Sequence, residues 1–289
     1  MKVIRMGLFK SLQNSKFVLL PRLQPHEAGK PILRLQNVTV EYESGRALDD
    51  ITFEVQRGER LAVLGPNGAG KSTLFKVIAG VLRPTSGVVE VAGSEPDGHI
   101  CIAYIPQRSQ VDWNFPLSVS DVVMMGRVGK IGLLHRPGAS DRQMVKRALE
   151  TVGLQELANR QIGQLSGGQQ QRMFIARALA QEAELMLMDE PLTGLDLPAQ
   201  EDLFRILDTL RGQGVTVMVA LHDLQTAAER FDRVMLLNRR LVGLGTAEQI
   251  FTPEHLLTAY GGHLRLISSQ QGLIALGDTC CDEGEHDHR

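Results

Sequence analysis

Cysteine is scarce in this sequence. The 289 residues contain three cysteines, Cys101, Cys280 and Cys281. Three cysteines are too few for the disulfide framework of a small secreted scaffold, and such sparing use is typical of proteins from a reducing compartment.

Long hydrophobic runs are also missing. No stretch approaches about 18 consecutive apolar residues, the length that a transmembrane helix needs. We therefore expect that the chain does not itself span a membrane, and that any connection to one goes through a partner.

An excess of charge of one sign is absent too. The formal net charge is −2, which gives no reason to expect extensive nucleic-acid binding. Acidic side chains are lacking over residues 1–26, and the longest apolar run there, residues 17–20, is shorter than the signal-peptide core of about 7 or more residues. We predict a disordered basic extension over residues 1–30, with a membrane-surface contact or an organelle-targeting segment as alternatives.

The strongest signal that is present is a glycine-rich loop. Residues 65–73 read G-P-N-G-A-G-K-S-T and fit the pattern G-x-x-x-x-G-K-[ST]. The apolar run 60–64 predicts a buried parallel strand before the loop, and residues 74–79 can continue as a helix after it. Inward-turned N–H groups and the helix start make an anion site, where Lys71 can reach phosphates and Ser72 can bind Mg²⁺.

A second glycine-flanked helix start lies at residues 165–169, which read L-S-G-G-Q. Ser166 can cap the helix that follows, so its N-terminus is another natural anion site. The residue types alone fit an ordinary capped helix equally well.

Acidic residues follow an apolar run later in the chain. Asp189 and Glu190 come directly after residues 185–188, which predict a buried strand. Ligands bind at the carboxyl ends of strands in open parallel sheets, and an acid there after a phosphate loop is the magnesium-binding arrangement of nucleotide hydrolases. His222 ends another predicted strand, so we expect it at the same edge, where it can sense a phosphate.

Other patterns are less specific. They predict strands near residues 33–40, 51–55, 88–91 and 100–105, a loop-rich stretch over 108–139, and a last short strand at 234–237. Ser140 and Gln143 predict a capping box at the start of a helix.

In this order, the motifs resemble those of ABC-transporter ATPase subunits. The match includes Tyr42, residues 65–73, Gln107, residues 165–169, residues 185–190, residues 195–196 and His222. The resemblance implies an α/β fold with a RecA-like P-loop NTPase core, a small antiparallel β-subdomain and a helical subdomain. It places the ATP-binding domain at residues 31–262. Residues 263–289 then form an acidic tail with Cys and His, either a solvated tail or a site for a soft metal such as zinc or copper.

The resemblance implies a role for each motif. ATP would be held by Tyr42, Gly65, Pro66, Asn67, Gly68, Ala69, Gly70, Lys71, Ser72 and Thr73 of one copy and by Ser166, Gly168 and Gln169 of a second copy. Mg²⁺ would be held by Ser72, Gln107 and Asp189. Glu190 would polarise the attacking water, with His222 and Gln107 as the other catalytic residues. The protein would act as a homodimer with ATP between the copies.

A narrower resemblance covers residues 104–134, which are similar to the manganese/zinc/iron importer ATPases. It implies an ATP-hydrolysing subunit at the cytoplasmic face of the membrane, bound peripherally to an integral membrane permease that receives metal from an extracytoplasmic binding protein. Manganese is the first expected cargo and zinc the second. Trp113 and Phe115 would anchor the permease contact or pack inside the helical subdomain.

Two alternatives remain from the sequence. One is an ABC ATPase for another cargo, such as an iron chelate. The other is a non-transport ABC module of DNA repair or translation. Those modules usually carry coiled-coil insertions, zinc modules or two ATPase halves, and the sequence predicts none of these and no nucleic-acid partner.

Overall fold

The computed structural model describes residues 30–96, 101–132 and 135–261, and the backbone of residues 264–269 and 272–277. The predicted basic extension, apart from its last residue, lies outside the described residues. Cys280 and Cys281 of the predicted tail lie outside them as well.

Strands and helices alternate along most of the described chain. The strands are β1 (Leu33–Tyr42), β2 (Gly45–Val55), β3 (Arg60–Leu64), β4 (Ser86–Val91), β5 (Ile102–Ile105), β6 (Leu185–Asp189), β7 (Thr216–Leu221), β8 (Arg233–Asn238), β9 (Arg240–Gly245), β10 (Leu264–Ser269) and β11 (Gly272–Gly277). The helices are α1 (Lys71–Ile78), α2 (Val119–Met125), α3 (Val128–Ile131), α4 (Ala139–Thr151), α5 (Gly167–Gln181), α6 (Leu197–Gly212), α7 (Leu224–Arg230), α8 (Ala247–Ile250) and α9 (Pro253–Tyr260).

A six-stranded sheet forms the centre of the molecule, with the order β5-β6-β7-β3-β8-β9. Its first five strands are parallel and β9 is antiparallel. Side chains on β3 alternate between two cores: Leu61 and Val63 lie on one face, and Ala62 and Leu64 on the other. Burial on both faces explains why these strands appear in the sequence as continuous apolar runs.

The two faces of the central sheet are covered differently. One face packs on α1 and on a three-stranded antiparallel sheet with the order β2-β1-β4. Phe75 of α1 is fully buried there, a contribution of about 1.5–3 kcal/mol relative to leaving it exposed. The other face packs on α5 and α6. The predicted α/β class, with a small antiparallel sheet on one side, is confirmed.

A helical region lies beside this second face, where α2 and α4 pack on α5. Most of the described residues between 108 and 139 lie outside α-helices, as predicted, but the sequence pattern missed α2 and α3, which lie within this stretch. Ser118 caps α2 by accepting a hydrogen bond from the Asp121 N–H, at 3.2 Å. Burial of Val119, Val122 and Val123 outweighs the weak helix propensity of β-branched residues.

The capping box predicted at Ser140 and Gln143 is wrong. The N-cap of helix α4 is Gly138, two residues before the predicted cap. The carboxylate of Asp141 accepts the Gly138 N–H at 2.9 Å. The side chain that satisfies the helix start is therefore that of Asp141, two residues before the predicted Gln143.

The C-terminal part holds more structure than the sequence pattern indicated. Strand β9 pairs antiparallel with β8 at the edge of the central sheet, after the strand predicted to be the last. Strands β10 and β11 pair with each other beyond α9. Among the described helices, none combines the length and the hydrophobicity that crossing a lipid bilayer requires.

Candidate functional site

The phosphate loop joins the end of β3 to the start of α1, as predicted. Two of its glycines are required by close approaches. A Cβ at Gly65 would lie 2.1 Å from the carbonyl oxygen of Leu237, and one at Gly70 would lie 2.5 Å from that of Ala47. Gly70 also has a φ of 98° as the N-cap of α1. Only glycine fits at these two positions, because the backbone carbonyls of Leu237 and Ala47 leave no space for a side chain.

Lys71 is the buried cation of this loop, with 6% of its surface exposed. Its Nζ donates to the carbonyl oxygens of Gly65 and Pro66, at 2.7 and 3.2 Å. Burial lowers the pKa of Lys71, against the opposing effect of the nearby Glu190 and Asp189 carboxylates. The ammonium is thus held inside the loop. A bound anion would replace the two carbonyl oxygens as the partner of this ammonium.

Asp189 ends β6 and is 2% exposed. Burial raises its pKa, although a hydrogen bond with the Ser72 side chain acts in the opposite direction. Tyr104 donates its hydroxyl to Asp189 Oδ2 at 3.4 Å. The oxygens of Ser72 and Asp189 therefore lie within hydrogen-bonding range of each other, and hydroxyl and carboxylate oxygens are ligands that Mg²⁺ prefers.

Glu190 has both carboxylate oxygens engaged. Oε1 lies 2.6 Å from Nε2 of His222, and Oε2 accepts a hydrogen bond from Nε2 of Gln107 at 2.9 Å. The backbone of Glu190 is left-handed, with a φ of 50°. A non-glycine residue in this region is strained by about 1–2 kcal/mol, so surrounding structure must hold it there.

The topology explains why these residues meet. Strands β5, β6, β7 and β3 are neighbours in the sheet and run parallel. Gln107, the Asp189–Glu190 pair, His222 and the phosphate loop each follow one of these strands at its carboxyl end. The four segments therefore converge on one edge, where an open parallel sheet binds ligands.

The L-S-G-G-Q segment forms a capping box at the start of α5. Ser166 Oγ accepts the Gln169 N–H at 3.3 Å, and Gln169 Oε1 accepts the Ser166 N–H at 2.9 Å. Ser166 is exposed, and a Cβ at Gly168 would lie 2.9 Å from the Cβ of Ala199 on α6. We call residues 166–169 the signature face. It presents a capped helix N-terminus to solvent.

Tyr42 lies at the end of β1 and is 43% exposed. Its strand partner is Gly45, two residues before Ala47, whose carbonyl oxygen touches the phosphate loop at Gly70. The small antiparallel sheet thus places an exposed aromatic ring near the loop.

The two aromatic residues predicted as interface anchors differ from each other. Trp113 packs edge-on against Phe174 of α5, with ring centroids 5.7 Å apart, and its indole N–H donates to the Arg108 carbonyl at 3.1 Å. Phe115 is 56% exposed. Trp113 therefore packs within the helical region, whereas Phe115 remains available at its surface.

Two residues near the site were missed from the sequence. Tyr104 touches Asp189, and the guanidinium of Arg108 donates from Nε to Gln170 Oε1 at 2.6 Å. The position of Tyr104 near the end of a strand that precedes Gln107 was a usable signal. Nothing local marks Arg108, because its partner is 62 residues away.

Comparisons with known proteins were consistent with this geometry. Residues 48–193 match the family model described as ABC transporter. The chain is 47% identical over 239 residues to the manganese transport system ATP-binding protein MntB of Bacillus subtilis (strain 168), covering 82% of this chain and 96% of that protein. It is 46% identical to the zinc transport system ATP-binding protein TroB of Treponema pallidum (strain Nichols), covering 80% and 88%.

A solved structure of similar fold comes from a metal-chelate type ABC transporter in an inward-facing conformation. The TM-score is 0.73 at 30% identity, and the match covers 86% of this chain and 99% of that chain.

Proposed function

The chain belongs to the ABC transporter family, as an ATP-binding subunit that hydrolyses ATP, and from this premise we propose that it powers a membrane importer for manganese. The observation that supports manganese as the cargo is the 47% identity to a manganese transport subunit over 96% of that subunit's length. The ATP-binding unit is assigned to residues 31–262. A zinc ion is the second candidate, because a zinc transport subunit is 46% identical.

Hydrolysis in this proposal proceeds at the edge of the central sheet. Water attacks the γ-phosphorus, a new P–O bond forms, and the bond to the β–γ bridging oxygen breaks to release ADP. Mg²⁺, held by Ser72 and Asp189 with Gln107 nearby, would neutralise phosphate charge when bound. Glu190 polarises the water and takes its proton, and Gln107 and His222 hold the two carboxylate oxygens in place.

Phosphate binding in this proposal uses the phosphate loop, which lies at the same edge of the central sheet. Lys71 and the inward N–H groups of the loop bind the outer phosphates, and Tyr42 stacks on adenine with its exposed ring. The signature face completes the site from a second copy, so the active form is a homodimer. This assignment is supported by the exposure of Ser166 at a capped helix N-terminus, which suits contact with an anion on another chain.

The membrane partner in this proposal is an integral permease, with the ATPase bound peripherally at its cytoplasmic face. Phe115 is the anchor that we assign to this contact, because its ring is exposed on the helical region. An extracytoplasmic metal-binding protein would deliver the ion to the permease. A metal chelate is an alternative cargo, favoured by the fold similarity to a metal-chelate type transporter.

Cellular metal content tests the cargo. Cells would carry either the unchanged protein or Glu190→Gln as the only copy, under metal scarcity, and manganese, zinc and iron would be measured. We expect a selective fall in manganese with Glu190→Gln, because the water-polarising carboxylate is lost while the nucleotide can still bind.

Glu156→Gln is the matched control, since it makes the same change at an exposed position in the helical region. It should leave all three metals unchanged. A selective fall in zinc or iron would replace manganese as the cargo. No change in any metal with Glu190→Gln would refute the importer assignment and leave the ATPase standing.

A further inference from the structure

Helix α5 is attached to the segment 102–108 at three points along its length. Gln181 donates to the Ile102 carbonyl at 2.6 Å, and Arg177 donates to the Tyr104 carbonyl at 3.1 Å. Arg108 completes the series by donating to Gln170 Oε1 at 2.6 Å. The helix positions fall as the segment positions rise, so the two run antiparallel side by side.

The spacing supports a continuous attachment. From position 177 to position 170 the helix rises roughly 10 Å at 1.5 Å per residue. From position 104 to position 108 an extended chain advances roughly 13 Å. The two lengths match closely enough for one rigid helix to make both contacts at once.

The three contacts are not equivalent. Gln181 and Arg177 bind carbonyl groups of β5, which the sheet holds in place. Burial lowers the pKa of Arg177, so its guanidinium is costly to leave without an acceptor. Arg108, in contrast, is exposed and lies on the loop after Gln107. Of these three contacts, only the one at the signature end of α5 joins two side chains, and only there is the donor side chain exposed to water.

The placement of Arg108 is not explained by helix stability. A Cβ at Gly167 would lie 2.9 Å from Arg108 Nη1, so the guanidinium lies against the first residue of α5. A cation near a helix N-terminus opposes the helix dipole by about 0.3–1 kcal/mol. The favourable contribution of Arg108 must therefore come from its hydrogen bond to the side-chain oxygen of Gln170, a residue that is 3% exposed.

Arg108 follows the residue that contacts the Glu190 carboxylate. Its neighbour Gln107 donates to Glu190 Oε2 at 2.9 Å. The carbonyl of Arg108 is fixed by the Trp113 indole at 3.1 Å. A displacement of Gln107 therefore pulls on Arg108, and through Gln170 on the start of α5.

We propose that Arg108 is a positioning residue that sets the signature face relative to Glu190, so that the state of the nucleotide site is passed to the surface offered to a second copy. This inference rests on the proposed function, because it concerns the shared ATP site of the homodimer. It assigns the transmission to one side-chain contact, Arg108 to Gln170.

The test uses the full chain carrying Glu190→Gln, which retains ATP, with the dimer dissociation constant measured by analytical ultracentrifugation in ATP and Mg²⁺. Arg108→Ala should weaken the dimer about 10-fold, the worth of one hydrogen bond to a charged group. Binding of a fluorescent ADP to the monomer should stay within about 2-fold, because the phosphate loop is untouched.

A double-mutant cycle isolates the contact. Gln170→Met should weaken the dimer by a similar factor, and the combination with Arg108→Ala should add little. Arg108→Lys should behave like Arg108→Ala, since lysine keeps the charge but lacks the planar fork. Arg147→Ala, an exposed arginine of α4, is the matched control and should have no effect.

Several outcomes would overturn the inference. An unchanged dimer in Arg108→Ala would remove it and leave the proposed function intact. An unchanged dimer dissociation constant in Arg108→Lys would replace positioning by charge alone, and additive effects in the cycle would show that the Arg108–Gln170 contact does not carry the effect. A joint fall in ADP affinity and melting temperature would indicate a general structural role. If Glu190→Gln itself fails to dimerise, the shared site is refuted and this inference with it.

Discussion

The phosphate loop and the signature face are both glycine-rich helix starts, yet they are built in opposite ways. The loop is enclosed, with Lys71 6% exposed and Gly65 pressed against the backbone of β8. The signature face is exposed, and side chains hold it: a capping box within the segment and Arg108 from outside. Both are proposed anion sites, but only the first has its shape fixed by the central sheet.

This difference separates two tasks. A backbone cradle on a buried sheet cannot adapt, so it suits retention of a ligand that is present in every step. A helix start held by a few side-chain hydrogen bonds can change its position more readily, and so it suits a contact that forms and breaks in each cycle. The contrast is testable by removing single groups from the phosphate loop, which is the enclosed half of the proposed site, and from the signature face, which is its exposed half.

The largest effect should come from the enclosed half. Lys71→Ala removes the only cation described inside the phosphate loop, and we expect ATP hydrolysis to fall by at least about 100-fold, the usual loss when a preorganised charge partner is removed. Steady-state phosphate release by the purified protein measures this. Lys146→Ala, whose side chain is 76% exposed on α4, is the control and should match the unchanged protein. Retained hydrolysis in Lys71→Ala would contradict the assignment of this loop as the ATP site.

An intermediate effect should come from the exposed half. Ser166→Ala removes a cap and, in the proposed dimer, a phosphate contact, so hydrolysis should fall about 10-fold while the monomer still binds ADP normally. Measuring kcat and ADP affinity on the same preparation separates these two quantities.

Ser118→Ala is a matched control for the signature serine, because Ser118 forms the capping box of α2. Both variants should lose about 1 kcal/mol of stability from the missing cap. Only Ser166→Ala should lose hydrolysis. Equal losses in both would show that the signature serine acts through helix stability rather than through contact with ATP.

The smallest effect should come from the Tyr104 hydroxyl, which contacts the proposed Mg²⁺ ligand Asp189. Tyr104→Phe removes the donor to Asp189 Oδ2 while keeping the ring, and the apparent affinity for Mg²⁺ in ATP hydrolysis should weaken about 3-fold. Titration of Mg²⁺ at saturating ATP measures it. Tyr42→Phe makes the same change at a residue that would act through its ring, so it should have no effect. A stronger loss in Tyr42→Phe would reverse the roles given to these two hydroxyls.

The sequence predicted the enclosed half well because each of its parts is local. A glycine loop, an apolar strand before it and a carboxylate at the end of another strand are all visible within a few residues. Parallel strands then bring these ends together without further information, as they do for Asp189 and His222.

The parts that were missed depend on distant partners. Helix α2 contains valines that favour strands, and it forms because α5 buries them. Strand β9 needs β8 as its partner and has little pattern of its own. Arg108 could not be assigned because Gln170 reaches it only after the helical region has folded. Side-chain contacts across long separations are the information that a local pattern lacks.

The left-handed backbone at Glu190 has a consequence for protein engineering. Glycine or asparagine would adopt a φ of 50° more readily than glutamate does, so the backbone conformation opposes the residue present there. A directed-evolution experiment that selected for thermal stability without requiring ATP hydrolysis should replace Glu190 early. Its most stable variants would then no longer hydrolyse ATP. Selection for thermal stability in this protein must therefore be combined, in every round, with selection for ATP hydrolysis.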